Sequence, residues 1–393
     1  MPVSRPGPLH LFKLILRNTL RHPLRTVLTM LGLVVAILSF GLLQTVVDAW
    51  YAGAEGAAPN RLITRNAVSL MVPLPLHYRD KIRSVDGVKA VAAANWFAGV
   101  YQDPKNFFPQ FAVEPLPYFA MYPEFRVRED EFRAFLRDRK GAIVGRKLAQ
   151  AYGFKVGDVV PLKGTLFPGT WEFVVRAIYD GADARTDTSQ FFFHWEYLNE
   201  TVKARAPQRA NQIGIYIVQI TDIGRAAEVS EEIDALFTNS PAETLTETEK
   251  AFQIGFVKQT EAILIAVRIV SFVVIFVILA VMANTMAMTA RERLSEYATL
   301  KALGFGPGFL SALIFGESLS IAAVGSLAGI ALTFPVAEWF AAKMGTLFPV
   351  FEVSAGTVML QIACALAVGA AAAVLPARRA IGVRIADGLR AIG

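Results

Sequence analysis

The sequence predicts a membrane α-helical protein: four transmembrane helices, with a two-lobed α+β extracytoplasmic domain between the first and the second. Three observations lead there. Hydrophobic residues make up 54% of the 393-residue chain, more than a soluble domain of this size carries. Four apolar runs are each long enough to cross a bilayer core. A polar stretch of about 200 residues separates the first run from the other three.

The first run, 26–47, carries no charge. The second helix is assigned to 261–290 and is charge-free from residue 269. The third covers 309–337 and the fourth 353–375. A signal peptide is disfavoured for the first run, which is about twice the usual apolar core of one. Orientation follows from lysine and arginine near the span ends. Arg5, Lys13, Arg17, Arg21 and Arg25 stand in the amphipathic segment 1–25, with no acid among them. Arg291, Arg293 and Lys301 follow the second span, and Arg378, Arg379, Arg384 and Arg390 stand in the tail 376–393. The short loop 338–352 offers only Lys343, against Glu338 and Glu352. Both termini and the segment 291–308 are therefore expected in the cytoplasm, and 48–260 and 338–352 outside a bacterial inner membrane.

The net charge of +6 gathers beside the apolar runs, with no basic face interleaved with aromatics, so nucleic acid is not an expected partner. The one cysteine, Cys364, rules out a disulfide framework, and the outer domain must rely on its own core. Within 48–260, residues 211–220 alternate as a strand, and Ala226, Val229, Ile233, Leu236 and Phe237 share a helix face. A helix at 78–85 followed by a strand at 88–97 makes a second such unit. Between them, 141–180 is rich in strand signals and glycine turns, with Trp171, Phe173 and Val175 alternating. This is read as a mostly β lobe inserted into the first. The aromatic run 191–195 reads as core strand. The stretch from 242 to 305 has no proline, which predicts one continuous helix over about 244–285, roughly 60 Å long.

No phosphate-binding G-x-x-x-x-G-K-[ST], H-E-x-x-H or G-x-S-x-G occurs, and the four histidines are scattered. The chain is expected to be no enzyme and to hold no cofactor or metal. Glu317, inside the third span, is either a functional intramembrane carboxylate or a paired group joining two helices, within the chain or across a dimer. Asn284, near the cytoplasmic end of the second span, is read as hydrogen-bonding to a neighbouring helix.

The order of short motifs is informative. Asn284-Thr285-Met286 precedes Arg291-Glu292-Arg293, Glu296 and Leu300-Lys301-Ala302-Leu303-Gly304, and Glu317 follows. Leu375-Pro376-Ala377-Arg378-Arg379-Ala380 comes after the fourth span, and Asp387-Gly388-Leu389-Arg390 ends the tail. Outside the membrane stand Ala142-Ile143-Val144-Gly145-Arg146-Lys147-Leu148-Ala149 and Gly157-Asp158. Together they resemble the MacB/FtsX family of ABC transporter permeases, along nearly the whole chain. Ser295 and Tyr297-Ala298 depart from the family pattern.

The resemblance implies a type VII mechanotransmission permease. Two copies of a separate ABC ATPase, which binds the ATP, would act on a cytoplasmic coupling helix at 291–308 through Arg291, Arg293, Glu296 and Lys301. It implies a second permease copy or a sister permease, contact with membrane lipid, and room for a periplasmic adaptor. The implied work is export or extraction of a hydrophobic substrate such as a lipoprotein, lipid, drug or peptide. The alternative is an FtsX-like regulator of an extracytoplasmic enzyme, without transport.

Overall fold

The computed structural model describes residues 14–15, 17–18, 21–106, 108–183, 186–344, 348 and 350–383. Arg5, Lys13, Arg384 and Arg390, with most of 1–25 and the tail from 384 on, lie outside them. The chain divides into two compact units. An α+β unit comprises Ala49–Glu261 with Ala342–Val350, and a helical unit comprises Met1–Asp48, Ala262–Ala341 and Phe351–Gly393.

A long helix, α1 (Pro23–Glu55), runs past the first apolar stretch. The α+β unit follows with β1 (Arg61–Asn66), β2 (Leu74–Pro75), α2 (Tyr78–Arg83), β3 (Val88–Trp96), β4 (Gly99–Val100) and β5 (Gln110–Val113). Next come α3 (Pro115–Met121), β6 (Phe125–Arg126), α4 (Glu129–Arg137), β7 (Gly141–Gly145) and α5 (Arg146–Tyr152). Then follow β8 (Val159–Gly164), β9 (Gly169–Gly181), β10 (Phe191–His194) and α6 (Trp195–Arg205). The unit closes with β11 (Gln212–Ile213), β12 (Ile215–Ile220), α7 (Ala226–Ala235), β13 (Thr244–Thr248) and α8 (Glu249–Gln259).

The main sheet has 11 strands in the order β13-β1-β12-β3-β5-β10-β7-β9-β8-β4, with β6 on β9. Pairing is antiparallel except at β10–β5 and β7–β9. The strands expected as a separate lobe at 141–180 are joined to the rest through β10, so both lobes share one continuous sheet. Helices cover both faces, so central strands bury both sets of side chains. On one face Tyr216 and Val218 join Phe191, Phe193, Trp171 and Phe173; on the other Ile217 joins Phe192, Tyr179 and Phe135. The aromatic run 191–195 is thus core, and the alternation at 211–220 marks two buried faces.

The expected continuous helix from 244 is corrected. Residues Thr244–Thr248 form a strand on β1, because three β-branched threonines alternate there and suit a pleated ladder better than a helix. Thr248 then caps α8, its Oγ1 accepting the Ala251 N–H at 3.2 Å. A further break at Thr260 separates α8 from α9 (Glu261–Glu292). At the sheet edge, Asp234 of α7 accepts from Thr244 Oγ1, Thr246 Oγ1 and the Thr246 N–H, at 2.7, 2.7 and 2.9 Å.

In the helical unit, α9 is followed by α10 (Leu294–Ala302), α11 (Pro307–Met344) and α12 (Ala355–Gly382). Four helices, α1, α9, α11 and α12, are long and apolar enough to cross a membrane. Small residues set their spacing. A Cβ at Gly325 would lie 2.9 Å from Leu33 and one at Gly329 3.0 Å from the Val34 carbonyl, so α1 and α11 approach as closely as glycine permits. Gln361, fully buried, ties α12 to the others by donating to the Ile37 carbonyl and Thr333 Oγ1, each at 2.9 Å. Asp48 of α1 accepts from Ser354 and Thr357 at the start of α12, at 2.7 and 2.8 Å.

Candidate functional site

The charged residues of the helical unit converge around α10. Glu292 ends α9, and Arg293 turns the chain with φ −109° and ψ 15° before α10 begins. The helix stops at Gly304, where φ is +88°. There the Gly304 N–H donates to the Lys301 carbonyl and the Phe305 N–H to the Leu300 carbonyl, both at 3.0 Å. This left-handed closing turn needs glycine. Pro307 then opens α11.

Arg293 is 6% exposed and Glu317 4%. The Arg293 guanidinium donates through Nη1 to Glu317 at 3.0 Å and through Nε to Glu296 at 2.9 Å. It also lies 5.5 Å from the Tyr297 ring. Arg21 adds a second donor to Glu296. Burial lowers the pKa of Arg293, but Tyr297, Glu296 and Glu317 outweigh it and hold the guanidinium above its ordinary value. Burial raises the Glu296 carboxyl, yet hydrogen bonds from Arg293 and Arg21 bring it below the usual carboxylate range. Tyr297 is pushed up to about 12, mainly by burial.

Two further links radiate from this cluster. Arg25 of α1 grips Glu292 with two bonds of 2.9 Å, a fork-to-carboxylate pair. Lys301 donates to the carbonyls of Ile381 and Val383, the latter at 2.8 Å, and so caps the end of α12. Helix α10 is thereby fastened to α11 and α12 and, through Arg21, to the residues that lead into α1, while Arg25 holds α1 to the end of α9.

Of the residues singled out from sequence, Arg293, Glu296 and Glu317 meet in one network, and Lys301 holds α12. Arg293, expected to face a partner, is buried instead, because two carboxylates neutralise it inside the bundle. Arg291 is exposed and lines an open groove of about 570 Å³ with Leu294 and Arg379. Asn284 is exposed on α9 and takes no part in the network. The groups that face outward from α10 are Thr299, Ala302 and Leu303. Sequence reading missed Arg25–Glu292 and Gln361. The only signal for the first was an unopposed arginine beside a span.

The α+β unit has a buried charged cluster of its own. Arg61, 2% exposed, donates to Glu249 and Glu124 at 2.6 Å each and to the Met121 carbonyl at 2.9 Å, and lies 4.0 Å from the Tyr122 ring. Burial holds the Glu249 carboxyl above its ordinary value despite Arg61. A cavity of about 490 Å³ adjoins, with Asp183, Asp187 and Gln190 in its wall. Because Glu249 opens α8, the cluster fixes where that helix leaves the sheet.

Four spanning helices with a mixed-sheet extracytoplasmic domain inserted after the first define a class of membrane permease. A profile described as MacB-like periplasmic core domain matches residues 26–236, and one described as FtsX-like permease C-terminal matches 268–384. The chain belongs to the MacB/FtsX-like family of ABC-type permeases, which works with ABC ATPase partners. Among solved structures it is similar to the extracellular domain of the noncanonic ABC-type transporter YknZ from Gram-positive bacteria. That match has 14% identity and a TM-score of 0.35, over 48% of this chain and 99% of that one. It is also similar to the periplasmic region of MacB from Actinobacillus actinomycetemcomitans, at 10% identity and a TM-score of 0.36, over 51% and 94%. A comparison with curated proteins finds no match.

Proposed function

We propose that the chain is a permease subunit that turns ATP hydrolysis by a separate ATPase into movement of its periplasmic domain, for export or extraction of a hydrophobic substrate. The observation that carries this reading is the fastening of α10. A force on that helix reaches α11 through Arg293–Glu317, α12 through Lys301 and the residues leading into α1 through Arg21–Glu296. A helix so tied moves as part of the bundle rather than folding away. On this reading α10 and both termini lie in the cytoplasm of a bacterium, and two permease chains, identical or sister, meet two ATPase subunits. No cofactor is bound by the permease itself. Thr299, Ala302 and Leu303 form the contact, with Arg291 beside them, while Arg293, Glu296 and Lys301 position the helix.

Purification of the full chain with its ATPase tests this. The double variant Ala302→Arg and Leu303→Glu changes only outward groups and is expected to abolish recovery of an ATP-hydrolysing subunit. Undiminished recovery would overturn the assignment of α10.

A further inference from the structure

The α+β unit carries an apolar cavity that the charged network does not use. Its volume is about 560 Å³, within the range of small-molecule sites. Leu70, Met71, Phe111, Phe167, Phe252 and Phe256 wall it. The loop over it is unusually apolar for an exposed turn: Val68 is 86% exposed, Met71 70% and Val72 41%, and Phe256 on α8 is 47% exposed. Isolated exposed apolar residues need no explanation, but a group of them around a cavity does.

One observation identifies the occupant. Arg209 stands in the cavity wall, exposed, donating to the Leu166 carbonyl at 3.2 Å and lying 5.8 Å from the Phe167 ring. Among the described residues no carboxylate pairs with it. A guanidinium left without an acid beside an apolar chamber complements an anionic head on an apolar body.

We propose that this cavity takes up an anionic amphiphile, its chain among Leu70, Phe111, Phe252 and Phe256 and its head on Arg209. The inference deepens the reading above and rests on it for the use made of the bound molecule, while the binding needs no ATPase.

The test uses the full chain in phosphatidylcholine nanodiscs. A diazirine-bearing palmitic acid is the probe, its alcohol analogue is the control, and cross-linked peptides are mapped by mass spectrometry. Saturable labelling within 67–73 and 252–256 is expected. Arg209→Glu should weaken the acid probe at least tenfold, about the worth of one charge-assisted hydrogen bond, and leave the alcohol unchanged. Phe256→Glu, at an exposed position that does not threaten folding, should weaken both. Labelling confined to the spans, or indifferent to both substitutions, overturns the site. So does cross-linking of residue 71 or 256 to a second copy in place of the probe, which would make this face a protein interface. Loss of labelling with ATPase recovery intact would sink the cavity alone. Labelling without ATPase recovery would sink the permease reading alone.

Discussion

Removing the Glu317 carboxylate should destabilise the helical unit far more than removing both ends of its ion pair. At 3.0 Å, and with the effective dielectric constant of about 20 that suits protein sites, the gross attraction to Arg293 is roughly 5.5 kcal/mol. Desolvation of two groups that are 6% and 4% exposed cancels much of that, so the net worth of the pair is small. Glu317→Ala, however, leaves a buried guanidinium with only the shared Glu296, which is expected to cost about 3–5 kcal/mol. The double variant Arg293→Met and Glu317→Leu removes both charges, keeps comparable volume and leaves Glu296 paired with Arg21, so it should lie within about 1.5 kcal/mol of the parent. Unfolding by sodium dodecyl sulfate titration of the full chain, run as a double-mutant cycle, reads both numbers. A Glu317→Ala cost under about 1 kcal/mol, or a double variant equal to the sum of the singles, would refute the buried-pair argument.

Three more outcomes follow from the geometry. His194 is 6% exposed, with Nε2–H donating to the Phe135 carbonyl at 2.9 Å, and burial holds its pKa below the ordinary value. The unfolded chain therefore takes up the proton first, and stability falls as pH drops below about 6.5, by up to roughly 1.4 kcal/mol per pH unit. Urea unfolding followed by tryptophan fluorescence at pH 5 and 7.5 should show this, and the same pH dependence in His194→Gln would contradict it. Gly329→Ile forces α1 from α11 and is expected to cost about 1–3 kcal/mol in the detergent titration; a neutral result would mean the helices are not in contact there. Asp234→Ala removes the acceptor of three hydrogen bonds and should cost the α+β unit about 2–4 kcal/mol in urea, with no loss at all refuting the role given to it.

The membrane helices were legible because an apolar run of 20 residues has few other interpretations. The pairing of strands was partly legible: β9 and β12 announced themselves by alternation, yet nothing local shows that β10 joins 141–181 to the rest of the sheet. The misread helix at 244 has a local cause, since the absence of proline permits a helix without requiring one, and the threonines decided otherwise. At the charged end, the candidate residues were found but not their partners. Arg293 and Glu317 are 24 positions apart and Arg25 and Glu292 are 267 apart, separations with no periodic signature in a single sequence. Sequence favours placing every arginine beside a span at the surface; burial of one becomes visible only when two carboxylates meet it.

The bonds from Asp234 to β13 have a bearing on assembly. An edge strand normally offers its outward N–H groups to any extended chain that comes near, which is how sheets grow from one molecule into the next. Here the outward donor of Thr246 is already taken by a side chain from the unit's own helix. The opposite end of the sheet finishes on β4, a strand of two residues that covers only Lys163 and Gly164 of β8, and the rest of β8 carries Pro161, which has no N–H to offer. Both margins thus carry a local obstacle to a foreign strand, which favours partners that meet this domain through side chains over growth by strand addition.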